Sequence, residues 1–96
     1  IEYVTFTLVP GAGEAAFLAA VRATEALVRR QPGLVARRLS SGTDGRWTNA
    51  LTWSSLAEAE AAASTVMSDR DFAPFMALID GPSAKMRHET LALTLD

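Results

Sequence analysis

The stretch Leu34–Ser54, LVARRLSSGTDGRWTNALTWS, decides the fold. Leu34 to Ser41 and Arg46 to Ser54 are rich in β-branched, aromatic and alternating residues, so both predict strands. Between them lies Ser41-Gly42-Thr43-Asp44-Gly45, whose Asp-Gly pair is a strong hairpin signal. On the second of these strands Trp47, Asn49, Leu51 and Trp53 share one face, and Thr48, Ala50 and Thr52 share the other.

Reading outward toward the N-terminus, Glu2 to Val9 alternates, with Val4, Phe6 and Leu8 on one side and Tyr3, Thr5, Thr7 and Val9 on the other. Pro10-Gly11-Ala12-Gly13 is a loop. Phe17, Ala20, Val21, Thr24, Leu27 and Val28 then recur at helical spacing, from Glu14 in the first turn to Arg29 and Arg30 in the last. Pro32-Gly33 ends that helix. Toward the C-terminus, Ser55-Leu56-Ala57-Glu58 has the form of a capping box, and an Ala-rich helix follows to about Met67. Ser68-Asp69 caps a further short helix over about 70–79, with Pro74 in its first turn and Phe72, Phe75, Met76 and Ile79 as its apolar stripe. Ala84 to Leu95 alternates and predicts the last strand.

The expected fold is therefore α+β: a ferredoxin-like βαββαβ order, with an extra short helix before the last strand. Its four-stranded antiparallel sheet has helices on one side, within a single domain over 1–96. Such a sheet leaves its other face open, and polar alternation would let that face meet water. The third strand carries no charge beyond Arg46. Exposing both indoles would leave about 300 Å² of apolar surface wet, at about 25 cal/mol per Å². We therefore expect a second sheet to cover the indole face, in a symmetric homodimer that forms a dimeric α/β barrel. The 49% hydrophobic content points the same way.

Composition excludes several functions. There is no Cys, hence no disulfide, thiolate metal site or Cys nucleophile, which suits a reducing, cytoplasmic setting. The net charge of −2 disfavours nucleic acid and anionic membranes as partners. No apolar run approaches the roughly 20 residues that span a bilayer, and no signal peptide is visible. One His and scattered carboxylates supply no metal site. There is no phosphate-binding loop and no dinucleotide fingerprint.

The residues left to carry chemistry are few. His88, the only His, shares a strand face with Met86 and Thr90; it is either a general base or a packed strand residue. Asn49 either steadies an oxyanion through its amide N–H or satisfies backbone beside a bulge. Trp47 and Trp53 either stack on an aromatic ligand or pack the core. Tyr3 either donates a proton or lies at a strand edge. Phe72 and Met76 are candidates for the wall of an apolar pocket. Arg37 and Arg38 are adjacent, so a strand sends them to opposite faces. One is solvated; the other closes a pocket or forms a salt bridge across the dimer.

Several local motifs, taken in order, resemble the antibiotic biosynthesis monooxygenase domain family of the dimeric α/β-barrel superfamily. They are Val9-Pro10-Gly11 with Phe17, Gln31-Pro32-Gly33-Leu34, Thr52-Trp53-Ser54-Ser55-Leu56, and Ser68-Asp69 with Phe72. The resemblance implies a pocket between sheet and helices. It also implies, as in some members, oxidation of aromatic or polyketide-like substrates with neither metal nor flavin. In quinone-forming members an Asn precedes the third-strand Trp by four residues, as Asn49 precedes Trp53 here. The Tyr that those members use downstream has no counterpart, since no Tyr follows Tyr3. Haem-degrading members use a first-strand Asn, a helical Trp and a helical His. Here Thr5 and Thr7 hold the first strand, and the helices have neither Trp nor His. The expectation is a cofactor-independent monooxygenase, with His88 as base and Asn49 on the oxyanion. The alternative is a non-catalytic dimeric module of the same fold, which binds a small apolar ligand or only supports assembly.

Overall fold

The computed structural model describes residues 1–96. Four strands, β1 (Glu2–Phe6), β2 (Leu34–Ser41), β3 (Trp47–Trp53) and β4 (Lys85–His88), form one sheet in the order β2-β3-β1-β4. Every neighbouring pair is antiparallel. Between β1 and β2 run α1 (Glu14–Ala23) and α2 (Glu25–Arg29). Between β3 and β4 run α3 (Leu56–Met67), a 3-10 turn at Arg70–Phe72, α4 (Ala73–Ala77) and a second 3-10 turn at Gly81–Ser83. This is the expected α+β, ferredoxin-like order.

The hairpin forms as its turn chemistry requires. Gly45 adopts φ +82°, Gly42 N–H donates to the Arg46 carbonyl at 2.8 Å, and Asp44 Oδ1 accepts from Arg46 N–H at 3.0 Å. At the start of α3, Ser55 Oγ accepts from Glu58 N–H at 3.1 Å. The Glu58 carboxylate returns to the Ser55 hydroxyl, also at 3.1 Å, and not to the backbone N–H that a full capping box would use.

Four elements differ from expectation, the first being β1, which ends at Phe6 and not Val9, with Leu8 making only an isolated bridge to Ile79. The single helix predicted over 14–30 is two. Thr24 is fully buried and its hydroxyl donates to the Val21 carbonyl at 2.6 Å; this back-bonding competes with the helical ladder at the break. The helix expected over 70–79 is shorter: Asp69 caps a 3-10 turn, and α4 ends before Leu78. The last strand ends at His88, not Leu95. Its pairing with β1 runs on only to Glu89, whose N–H donates to the Ile1 carbonyl at 2.8 Å; Thr90–Asp96 pair with nothing in the chain.

The largest correction concerns the two sheet faces. Trp47, Asn49 and Leu51 are buried against the chain's own helices. Phe17 of α1 meets the Trp47 ring at 4.9 Å between centroids, and Phe6, Phe17 and Phe75 complete an aromatic cluster joining β1, α1 and α4. The open face carries Tyr3, Thr5, Arg38, Ser40, Thr48, Thr52, Lys85 and Arg87, by register and alternation. The more apolar face thus goes to the helices, where most area is buried, and the Thr- and Arg-bearing face meets solvent. A second sheet is not needed to shield Trp47, so the indole face does not by itself call for a dimer. No helix is long and apolar enough to cross a membrane.

Candidate functional site

Between the helix-facing side of the sheet and α3 and α4 lies a cavity of about 290 Å³. Its wall is overwhelmingly apolar, with Trp53, Phe72, Phe75, Val66 and Met76 prominent. The Ala run of α3 makes room for it: Ala62 and Ala63 line the cavity, where larger side chains would fill it. Four polar residues reach the wall: Glu2, Arg37 and Asn49 from the helix-facing side of their strands, and Lys85 from the edge strand β4, although its register turns its side chain to the open face.

Strand register places the polar groups. Glu2 pairs with His88 on one side and Leu51 on the other, and Leu51 pairs with Arg37. His88, Glu2, Leu51 and Arg37 therefore form one row across the sheet. Glu2 and Arg37 stand two strand spacings apart, about 10 Å. Asn49 lies one step along the same face, between Val4 and Leu39.

Arg37 organises the β2 end. Its Nε donates to Asn49 Oδ1 at 3.1 Å and its Nη1 to the Thr24 hydroxyl at 2.8 Å, while the guanidinium carbon lies 5.7 Å from the centre of the Phe75 ring. Since arginine only donates, the Asn49 atom facing it is the amide oxygen, and Asn49 NH₂ is turned away as a donor. Burial holds the Arg37 pKa below the ordinary arginine value; the Glu25 carboxylate partly offsets this. Arg37 Nη2 and Trp53 Nε1 are buried with no hydrogen-bond partner. At the opposite end, Glu2 is 6% exposed, and its Oε2 lies 3.2 Å from His88 Nε2.

Of the residues singled out in the sequence, Asn49, Trp53, Phe72 and Met76 come together around the cavity. Three do not. Trp47 is core, locked against Phe17. Tyr3 faces the other side of the sheet, under the Arg87 guanidinium at 4.4 Å. His88 stands behind Glu2 and does not line the cavity; its side chain is 36% exposed. Two polar residues of the wall, Glu2 and Lys85, were not singled out for a role. Glu2 shares a strand face with Val4 and Phe6, and an acid on an apolar face was the available signal. For Arg37, alternation gave opposite faces to the Arg37-Arg38 pair without saying which arginine points inward. No three His, Asp or Glu side chains gather so as to hold a metal ion.

No protein-family model matches the chain, and no curated protein matches it. Solved structures do. SnoaB, described as a cofactor-independent oxygenase from Streptomyces nogalater, is 23% identical with a TM-score of 0.72, over 98% of this chain and 94% of that one. A protein from Bordetella bronchiseptica, provisionally described as an antibiotic biosynthesis monooxygenase, is 21% identical with a TM-score of 0.75, over 96% and 95%. A protein from Nitrosomonas europaea with the same provisional description is 15% identical with a TM-score of 0.65, over 92% and 86%. The chain therefore has the ferredoxin-like α+β fold of the antibiotic biosynthesis monooxygenases.

Proposed function

We propose that this chain is a cofactor-independent monooxygenase acting on a small aromatic or polyketide-like substrate. The observation that carries this reading is the apolar cavity with hydrogen-bond donors at its β2 end and the Glu2 carboxylate at its β1 end. The neighbouring fold of a cofactor-independent oxygenase supports it.

The separation of the two ends suits one ring system. The substrate oxygen lies at Asn49 NH₂ and Arg37, and the acidic C–H across the ring faces Glu2. Glu2 removes that proton, and His88 beside it takes it onward to solvent. The negative charge moves to the oxygen at the donor end, where preoriented donors steady it in a site with little water. The electron-rich carbon then gives electrons to dioxygen and bonds to it. The resulting peroxide breaks at O–O. One oxygen stays as the new carbonyl; the other leaves as water with the two hydrogens of the carbon. The substrate itself is the reductant.

The test is oxygen uptake with a polycyclic phenol or its keto tautomer. Glu2→Gln and Asn49→Ala each lower turnover at least tenfold without unfolding the domain, whereas His88→Gln lowers it less, since it acts through Glu2. Uptake unchanged in both Glu2→Gln and Asn49→Ala rejects these roles. A substrate that binds and consumes no oxygen favours the non-catalytic ligand-binding module.

A homodimer is part of the proposal, now on different grounds. Leu91, Leu93 and Leu95 alternate with polar or small residues after β4 and are 53%, 82% and 93% exposed. An alternating segment with three open Leu has the pattern of a strand that lacks a partner edge. The exposed edge of β2 in a second copy can supply one.

A further inference from the structure

Arg37 is a cation held under the helices by neutral acceptors alone. Two of its donor groups reach the Asn49 amide oxygen and the Thr24 hydroxyl, and no carboxylate pairs with it; the ion pairs of the structure are Arg87–Glu89 and His88–Glu2. Its remaining nitrogen, Nη2, is buried with no partner, and so is the indole nitrogen of Trp53. Buried donor atoms in folded proteins are nearly always paired, and Arg37, half-buried as a whole, leaves one of its three nitrogens without a partner. Two such groups on one cavity wall point to a missing acceptor. Arg37 pairs across the strands with Leu51, two residues before Trp53 on the same face, so the two donors are diagonal neighbours.

We propose that the cavity selects the anionic form of its ligand, taking a phenolate or enolate oxygen against Arg37 and the Trp53 indole N–H. This rests on the reading of the cavity as an aromatic-ligand pocket and deepens it by naming the ligand's charge state and the atoms that recognise it. The rest of the wall supports one orientation. Phe72, Phe75 and Val66 offer only apolar contact, so the rings lie there. The Glu2 carboxylate repels an anion from the β1 end and directs the oxygen to β2. Lys85 on β4, opposite Thr5 and three residues from His88, touches the wall away from Glu2, and Glu25 on α2 acts on Arg37 without bonding to it. Both nitrogens are covered by neighbouring protein atoms, so seating the oxygen requires a small shift of the Arg37 head or of the indole ring.

The probe is a hydroxyanthraquinone dye whose colour reports ionisation. Its binding is followed by dye fluorescence and its ionisation by absorbance, between pH 5 and 9. Bound to the wild-type chain, the dye ionises at least one pH unit lower than when free, which is a tenfold preference for the anion. Arg37→Met abolishes the shift, Arg37→Lys retains part of it, and Trp53→Phe reduces it while keeping an aromatic wall. Dye that binds the wild type with an unshifted or raised ionisation overturns anion selection and leaves the pocket reading standing. A full shift in both Arg37→Lys and Trp53→Phe also overturns it, even where Arg37→Met fails to fold. Absence of any binding overturns the pocket reading, and this inference with it.

Discussion

Arg37 Nε donates to Asn49 Oδ1 at 3.1 Å, and this bond fixes both partners beneath the helices. It turns the Asn49 amide so that its NH₂ is the free donor, and it holds the guanidinium at the cavity wall. Asn49→Leu keeps the branched heavy-atom shape and removes the acceptor. Urea denaturation should show a loss of about 1.5–3 kcal/mol, the range for a hydrogen bond to a charged group. A change below about 0.5 kcal/mol would mean that the bond does not order the site.

Thr24 links the helix break to the same arginine, accepting from Arg37 and donating to the Val21 carbonyl. Thr24→Val is nearly isosteric and removes both bonds. It should destabilise the domain by about 1–3 kcal/mol. The Asn49→Leu and Thr24→Val effects should be non-additive, because both act through one guanidinium. Strict additivity in a double-mutant cycle would contradict the shared role.

Gly33 and Gly45 both have φ above +80°, yet their surroundings differ. A Cβ on Gly45 meets nothing within 4 Å, whereas one on Gly33 falls 2.4 Å from Glu58 Cδ. Gly45→Ala should cost about 1–2 kcal/mol, the left-handed penalty alone. Gly33→Ala should cost about 0.5–2 kcal/mol more, because it displaces the carboxylate that engages the Ser55 cap. Glu58→Ala should remove that excess. Equal costs for the two glycines in the wild-type background would show that Glu58 moves freely.

The exposed Leu tail predicts assembly. Sedimentation of the full chain at micromolar concentration should give a dimer, and Leu91→Ser with Leu93→Ser and Leu95→Ser should shift it toward monomer. A monomeric wild-type chain would remove the second copy from the account.

Much of the fold could be read from local chemistry. The Asp44-Gly45 turn set the hairpin, Ser55 and Glu58 set the start of α3, and helical spacing from Phe17 to Val28 marked the buried stripe. What alternation could not supply was the side of the sheet that the helices cover. It grouped Trp47, Asn49, Leu51 and Trp53 correctly, but their position under α1, α3 and α4 depends on long-range packing. The end of β4 was hidden for a similar reason, since Thr90–Leu95 has strand pattern without a neighbour to pair with. Within the site, Asn49, Trp53, Phe72 and Met76 were within reach of sequence. The reach from Arg37 to Thr24 and Asn49 joins three elements, and no periodicity encodes it.

The most direct measurement is dioxygen consumption by the chain with a tricyclic keto–phenol, in buffer treated with chelator and free of flavin. The expected result is uptake of one dioxygen per quinone formed, at a rate well above buffer and lowered at least tenfold by Glu2→Gln. Tight binding of the same compound with uptake no faster than buffer would contradict it.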